Sequence, residues 1–97
     1  AFYAYLLRCD DGSYYAGHTD NLEQRMAQHG SGNLGGYTAR RRPVVLVWSD
    51  SFQTRDDAFA AEQQLKGWSR AKKEALIAGD WPLVAVLARG RQRDAAD

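Results

Sequence analysis

The chain has little cysteine, little proline and no long apolar run. It contains one cysteine, two prolines and two histidines. A single cysteine, Cys9, cannot form an internal disulfide, and with two histidines it is too little for a structural zinc cluster. Cys9 lies in a strand-like segment, where we expect a buried side chain. Without the roughly 20 apolar residues of a membrane span, or a signal peptide, we expect a cytoplasmic protein with no membrane partner.

Neither sign of charge dominates the sequence. The net charge is +1 over 97 residues, which excludes a polycation, and the length suits one hydrophobic core. We expect one domain over residues 1–89 and a frayed, charged tail over 90–97. The basic residues are nevertheless clustered, in a pattern that is compatible either with phosphate binding or with solvated faces. The clusters are Arg40–Arg42, then Lys66, Arg70, Lys72 and Lys73, then Arg89, Arg91 and Arg93.

A β-hairpin is predicted at the start of the chain. Two apolar and aromatic segments, Phe2–Cys9 and Ser13–His18, flank the turn sequence Asp10-Asp11-Gly12. Both faces of the hairpin carry apolar groups, so we expect helices to cover both.

The length of the hairpin loop decides which side chains share a face. A two-residue loop would pair Tyr5 with His18 and place Tyr5 and Tyr15 on opposite faces. A three-residue loop, with Gly12 in the left-handed conformation, pairs Tyr5 with Gly17 and brings both tyrosines to one face. We predict the three-residue loop.

The first helix is predicted to follow the hairpin directly. Thr19 or Asp20 is its expected N-cap, with Glu23 completing a partial capping box, and it should end near Gly30. Three polar groups fall at i, i+4 and i+8 on this helix and form one stripe along the border of the core. They are Asn21, Arg25 and His29.

The remaining elements follow from breakers and caps in the sequence. We expect Gly30–Gly36 to form a flexible loop and Val44–Phe52 to form the third strand. A second helix should begin at a capping box at Thr54 and run to about Lys66. A third helix should run from Ser69 to about Ala78, with the lysines facing out, and a short helix should follow Trp81-Pro82. The core of the third helix should contain Trp68, Ala75 and Leu76.

Glu62 falls inside the apolar arc of the second predicted helix. That arc otherwise contains Ala58, Phe59, Ala61 and Leu65. Glutamate is rarely buried without a partner. Glu62 is therefore either a salt-bridged residue at the edge of the arc or a functional carboxylate.

Taken together, these motifs resemble the GIY-YIG nuclease superfamily, in particular its small single-domain UPF0213 (YhbQ-like) members. Tyr5 matches the last residue of the first motif, where Tyr3 replaces the glycine. The resemblance covers roughly residues 2–80. The other matching segments are Tyr15-Ala16-Gly17, the Asn21-Leu22-x-x-Arg25 element, His29, Glu62 and the segment from Glu62 to Lys73.

The resemblance implies an α+β fold, a small three-stranded antiparallel sheet flanked by helices. It also implies metal-dependent hydrolysis of nucleic-acid phosphodiesters. Tyr5 or Tyr15 would be the general base, and a nearby cation would have to lower its pKa. Arg25 would stabilise the transition state, His29 would position Tyr15 or relay its proton, and Glu62 would hold one Mg²⁺ or Mn²⁺.

The implied substrate is DNA, with single strands favoured by analogy with relatives of this type, and no obligate protein partner is inferred. An aromatic residue among basic ones suits single-strand binding, whereas so small a domain offers little sequence readout. His18 is either a substrate contact or a strand-end residue. The alternative function is a nucleic-acid-binding module with weak or lost nuclease activity. The expected substrate contacts are Gly17, His18, Asn21, Tyr37, Arg40, Arg41, Lys66, Arg70 and Lys73.

Overall fold

Strand β1 (Phe2–Arg8) is the centre of a three-stranded antiparallel sheet. It pairs with β2 (Tyr14–Thr19) on one side and with β3 (Val45–Phe52) on the other. The computed structural model describes residues 1–81. The expected α+β class with a three-stranded antiparallel sheet is therefore confirmed.

The described residues belong to two compact units. The first spans Ala1–Lys66 and contains the sheet and three helices: α1 (Leu22–Ser31), α2 (Gly36–Ala39) and α3 (Arg55–Lys66). The second begins at Gly67 and contains α4 (Arg70–Ile77). The helix expected after Pro82, the Arg89–Arg93 cluster and the tail over 90–97 lie outside the described residues, so the expected domain bounds stay a prediction.

The hairpin turn has the three-residue loop. Gly12 adopts φ 84° and donates its backbone N–H to Cys9 O at 2.9 Å, while Cys9 N donates to Ser13 O at 2.8 Å. Asp11 Oδ1 accepts from the Ser13 backbone N–H at 3.0 Å, which closes the turn locally. Tyr5 consequently pairs with Gly17. The predicted register is confirmed, and Tyr5 and Tyr15 share one face.

The core lies on both sides of β1. The four consecutive residues Ala4–Leu7 are at most 1 % exposed, which requires cover on both faces of the strand. Helix α3 packs against β1 and β2 through its buried Ala58 and Leu65. Cys9 is also buried, as expected.

The first helix begins and ends later than expected. Its N-cap is Asn21, whose Oδ1 accepts from Gln24 N at 3.0 Å, and not Thr19 or Asp20. The Thr19 hydroxyl instead accepts from the Asn21 backbone N–H at 3.1 Å, so it closes the turn before the helix. The helix continues to Ser31 and ends at Gly32 in the left-handed conformation. The glycine segment is therefore not one loop, because it contains a helix end and the start of α2.

Helices α3 and α4 start at their predicted caps. Thr54 Oγ1 accepts from Asp57 N at 3.1 Å, and Ser69 Oγ accepts from Lys72 N at 3.2 Å. Two packing predictions were wrong. Phe59, expected in the apolar arc of α3, is 47 % exposed. Lys72, expected to face out, is buried, with its ammonium 4.0 Å from the Trp68 ring centroid.

Candidate active site

Tyr5 and Gly17 form the floor of the candidate site. Tyr5 is 1 % exposed on the central strand, and its ring lies across Gly17 on β2. A Cβ at position 17 would meet Tyr5 Oη and would lie 2.5 Å from Tyr5 Cζ. The glycine is required because only a residue without a side chain leaves room for the phenol. Gly17, expected to contact substrate, thus has a visible packing role.

His29 connects Tyr5 to a residue that the sequence did not indicate. Its Nε2 lies 2.8 Å from Tyr5 Oη, and its Nδ1 lies 2.9 Å from Thr38 Oγ1. Both His29 and Thr38 are buried. Burial, and then the charge of Arg25, lower the pKa of His29 below its ordinary 6.5. The imidazole is therefore neutral at neutral pH.

Tyr15 packs on the other side of this arrangement. Its ring meets the His29 ring edge-on, with centroids 5.5 Å apart, and stacks with Tyr37 at 6.1 Å. Because Tyr15 is on the same face as Tyr5, both phenols flank one imidazole. We call Tyr5, Tyr15, Arg25, His29 and Thr38 the tyrosine–histidine cluster.

The surroundings of Tyr5 hold it in the neutral form. Burial is the largest cause that raises its pKa to about 12, and the charges of Tyr15 and Glu62 act in the same direction. The nearby charge of Arg25 opposes the rise without cancelling it. We expected a cation to lower the pKa of the catalytic phenol. For Tyr5 burial prevails over Arg25, so the free phenol is not ionised at neutral pH.

Glu62 forms a second group of contacts beside β2. Its Oε1 lies 3.0 Å from His18 Nδ1, and its Oε2 lies 3.2 Å from Lys66 Nζ. Gln63 Nε2 also donates to Oε2 at 3.0 Å. The carboxylate is buried and has salt-bridge partners. This agrees with the interpretation of Glu62 as a salt-bridged residue.

The charge of Glu62 affects the Tyr5 phenol. His18 pairs with Ala4, and Gly17 pairs with Tyr5, so His18 and Tyr5 belong to opposite faces of the sheet. Glu62 contacts His18 and not Tyr5, but it is near enough for its negative charge to raise the pKa of the Tyr5 phenol. His18 also meets the exposed ring of Phe59 edge-on, at 5.3 Å between centroids.

Arg41 connects the hairpin turn to the aromatic edge of the site. Its guanidinium carbon lies 3.7 Å from the Tyr37 ring centroid, its Nε donates to Asp11 Oδ2 at 3.0 Å, and another guanidinium N–H donates to Tyr37 O. A recess of about 340 Å³ is lined by Asp10, Asp11, Arg40, Arg41 and Arg42. Arg41 is engaged internally and beside carboxylates, whereas Arg40 is exposed.

The remaining expected substrate contacts belong to different helices. The Asn21 side chain is used as the helix cap. Arg70 and Lys73 lie on α4 in the second unit, where Arg70 Nε is 3.6 Å from Glu74 Oε2. Burial, and then Arg70, lower the pKa of Lys73. Lys66 is exposed and paired with Glu62.

Residues 1–75 match the family described as the GIY-YIG catalytic domain. The chain belongs to the GIY-YIG family. This GIY-YIG domain is 44 % identical to a UPF0213 protein of Bacillus pumilus over 75 residues, which is 77 % of this chain and 76 % of that protein. A UPF0213 protein of Staphylococcus haemolyticus is 41 % identical over 75 residues, covering 77 % of this chain and 92 % of that protein.

Solved structures agree with the family assignment. The GIY-YIG domain aligns with the solution NMR structure of a UPF0213 protein of Bacillus halodurans at TM-score 0.52 and 39 % identity, covering 79 % of this chain and 82 % of that one. A protein structure from Enterococcus faecalis aligns at TM-score 0.54 and 40 % identity, with the same coverage. The expected superfamily and its single-domain type are confirmed, and they support a nuclease-like function.

Two findings bear on partners and cofactors of the GIY-YIG domain. Over residues 1–81 no helix is long and apolar enough to cross a membrane. In the same part of the chain, no three or more histidine, cysteine, aspartate or glutamate residues form a metal-binding group.

Proposed function

We propose that this GIY-YIG protein is a metal-dependent nuclease that hydrolyses phosphodiester bonds of DNA, single-stranded in preference to double-stranded. The observation that carries the proposal is the hydrogen bond between Tyr5 and His29, buried beside Arg25. A phenol, a neutral imidazole and a guanidinium in contact are the groups that activation of water and stabilisation of a phosphorane require.

Tyr5 is the proposed general base, because its hydroxyl is hydrogen-bonded to His29. A phenol with pKa about 12 cannot ionise beforehand at neutral pH. It can accept a proton from water while passing its own proton to the neutral imidazole, so the phenolate never has to form. The ring of Tyr15 packs on His29 and fixes the plane of the imidazole.

Arg25 is the proposed stabiliser of the transition state. Its guanidinium is always charged and can donate to two phosphate oxygens at once. Arg25 lies close enough to Tyr5 for its charge to oppose the rise of the phenol's pKa. A phosphate bound beside Tyr5 would therefore be within the field of this guanidinium.

Glu62 fits a single Mg²⁺ or Mn²⁺. Its carboxylate supplies hard oxygen ligands, and Mg²⁺ commonly uses one or two protein carboxylates together with water and phosphate oxygens. Lys66, on an exposed and flexible side chain, holds Oε2 and would give way to the ion. When bound, the ion supplies charge stabilisation for the phosphate and the leaving oxygen.

The preference for single strands is supported by exposed aromatic rings near both groups of residues. Tyr37 is 42 % exposed beside Tyr15, and Phe59 is 47 % exposed beside His18. Unpaired bases can stack on such rings, whereas bases in a duplex cannot. The exposed Arg40 and Lys66 supply positive charge for the phosphates.

A second candidate function is a nucleic-acid-binding module with weak or lost nuclease activity. It is favoured by one observation, that both Glu62 oxygens already have donors in the described structure. A metal must compete with these donors, so the carboxylate could be structural only.

The deciding experiment incubates the purified protein with labelled single- and double-stranded DNA, with Mg²⁺, with Mn²⁺ and with chelator. We expect metal-dependent cleavage that falls at least 100-fold in Tyr5→Phe and Glu62→Gln. The matched controls are Tyr14→Phe on the same hairpin and Glu74→Gln in an exposed ion pair, which should cleave normally. DNA binding without cleavage in the unmodified protein would favour the module.

A further inference from the structure

Thr38 is a buried polar residue that the proposed mechanism has not used. Its hydroxyl lies 2.9 Å from His29 Nδ1, on the opposite side of the imidazole from Tyr5. Thr38 and His29 are 3 % and 2 % exposed. At such burial an unpaired ring nitrogen would be costly, so each nitrogen must have a defined partner.

Two arrangements of protons could satisfy these contacts. In one, Tyr5 donates to Nε2, and the Nδ1–H donates to Thr38. In the other, Thr38 donates to Nδ1, and the Nε2–H donates to Tyr5. The two arrangements correspond to the two neutral tautomers of His29.

The two hydroxyls differ as donors and acceptors. The phenol of Tyr5 is far more acidic than the aliphatic hydroxyl of Thr38, so it is the stronger donor to an imidazole nitrogen. The Thr38 oxygen is the better acceptor, because its lone pairs are not delocalised into a ring. His29 Nε2 is the acceptor that the described contacts of Tyr5 provide. The first arrangement is therefore favoured.

We propose that Thr38 is a positioning residue that accepts the Nδ1–H of His29 and thereby keeps Nε2 free to accept the Tyr5 proton. The position of the protons is a property of the folded protein. Its catalytic consequence rests on the proposed nuclease function.

In the reaction, every proton then has a defined path. The attacking water gives one proton to Tyr5 Oη, and Tyr5 gives its own proton to His29 Nε2. The water oxygen forms the new bond to phosphorus, the bond to the leaving oxygen breaks, and that oxygen takes a proton from solvent. The imidazolium keeps both hydrogen bonds, because Thr38 still accepts from Nδ1. Return of the proton through Tyr5 to solvent restores the starting state.

The groups that face His29 come from four elements. They are Tyr5 on β1, Tyr15 on β2, Arg25 on α1 and Thr38 on α2. Arg25 is the charged group among them, and it disfavours a permanent imidazolium. Thr38, which is uncharged, orients the ring without adding to that charge.

The test measures the tautomer directly, by ¹⁵N NMR of the imidazole nitrogens in the full chain at neutral pH. With only two histidines, His29 is assigned by comparison with His18→Gln. We expect the Nδ1–H tautomer in the unmodified protein and in Thr38→Ser, and a mixture or the Nε2–H tautomer in Thr38→Val. An Nε2–H tautomer in the unmodified protein would overturn the proposal, and so would an unchanged tautomer in Thr38→Val.

A second variant keeps the test decisive if Thr38→Val does not fold. Tyr5→Phe removes the hydroxyl on the Nε2 side and leaves Thr38 in place. We expect this variant to retain the Nδ1–H tautomer. Loss of that tautomer in Tyr5→Phe would mean that Tyr5, and not Thr38, holds the imidazole, and the proposal would be wrong.

The activity measurement separates this proposal from the proposed function. Thr38→Val should lower kcat about 10- to 100-fold with KM little changed, a range typical of orienting partners, and Thr38→Ser should restore it. If the unmodified protein does not cleave DNA, the proposed function fails, while the tautomer measurement still decides the role of Thr38. A Thr38→Val variant with changed tautomer and full kcat would contradict the catalytic part.

Discussion

The ring of Tyr5 occupies the space where any other residue at position 17 would have its Cβ. A glycine on an edge strand normally weakens the strand, because it adds backbone entropy to the unfolded chain and no packing. Here it permits a phenol to lie on the backbone of the neighbouring strand and reach His29. The motif glycine therefore acts through the position of Tyr5.

Gly17→Ala should displace Tyr5 and destabilise the fold by about 1–3 kcal/mol, as overpacking of a core typically does. Cleavage should fall as well, because the Tyr5–His29 hydrogen bond would be lost. Urea unfolding and the DNA cleavage assay measure the two effects. Gly30→Ala is the matched control, since it lies within α1 with nothing within 4 Å of its Cβ position. It should stabilise the protein slightly.

Tyr5 should ionise at a higher pH than an ordinary tyrosine. Its pKa is raised to about 12, chiefly by burial. In a titration followed by ultraviolet absorbance, one phenol should therefore ionise with a midpoint near that value. Tyr5→Phe should abolish this ionisation at high pH. The raised pKa stabilises the fold fully below pH 10, and this contribution is lost as the pH rises from 10 to about 12. A titration without an ionisation near that pH would show that the phenol is more solvated than its burial indicates.

The sequence predicted the residues that strand alternation brings together, and not those joined by irregular segments. The three-residue loop was sufficient to place Tyr5 and Tyr15 on one face, since the period of a strand is two. The contact between His29 and Thr38 depends on how the glycine segment between them turns. No periodic pattern describes such a segment, so Thr38 was missed.

Helix α1 shows why element boundaries are harder to predict than elements. Three adjacent polar residues could each cap the helix, and the spacing of apolar residues does not distinguish them. Thr19 is used in the preceding turn and Asp20 pairs with Arg55, so Asn21 is the residue whose side chain reaches an unpaired helical N–H. The capping interaction is local, but the choice of residue depends on where β2 ends.

Asn21→Ala should therefore destabilise the protein by about 1 kcal/mol, the usual cost of losing an N-cap. The measurement is the midpoint of urea unfolding. Asp20→Ala is the control, because Asp20 makes an exposed ion pair with Arg55 at 3.4 Å, and such pairs contribute little. A larger loss of stability in Asp20→Ala than in Asn21→Ala would contradict the assignment of Asn21 as the N-cap.

For the whole molecule, the fold class, the strand pairing and the family followed from the sequence. Alternation, turn chemistry and caps agree with one another along residues 2–66, and this agreement is why the fold was predictable. The position of Glu62 was predictable as an unusual acid on an apolar arc. Its three partners were not, because His18 is distant along the chain and Lys66 and Gln63 have many side-chain conformations.

The unfolding free energy should depend on pH through His29. Burial and Arg25 lower the pKa of His29 in the folded state, so the unfolded chain binds the proton more readily. Stability from this group is complete above about pH 6.5 and declines as the pH falls towards the lower folded value. Urea unfolding between pH 7.5 and 5 should show the decline, and His29→Gln should reduce its slope. An unchanged slope in that variant would mean that other groups cause it.

The central position of β1 sets the order in which a newly synthesised chain can assemble the candidate site. The β1–β2 hairpin and α1 need only the first third of the chain, so Tyr5 and His29 can meet early. The other edge of β1 stays unpaired until β3 has been made, and Glu62 follows later still on α3. Contacts between distant parts of a chain form slowly. A nascent chain can therefore hold the phenol–imidazole pair before it holds the carboxylate, and the candidate site is complete only after α3 has folded.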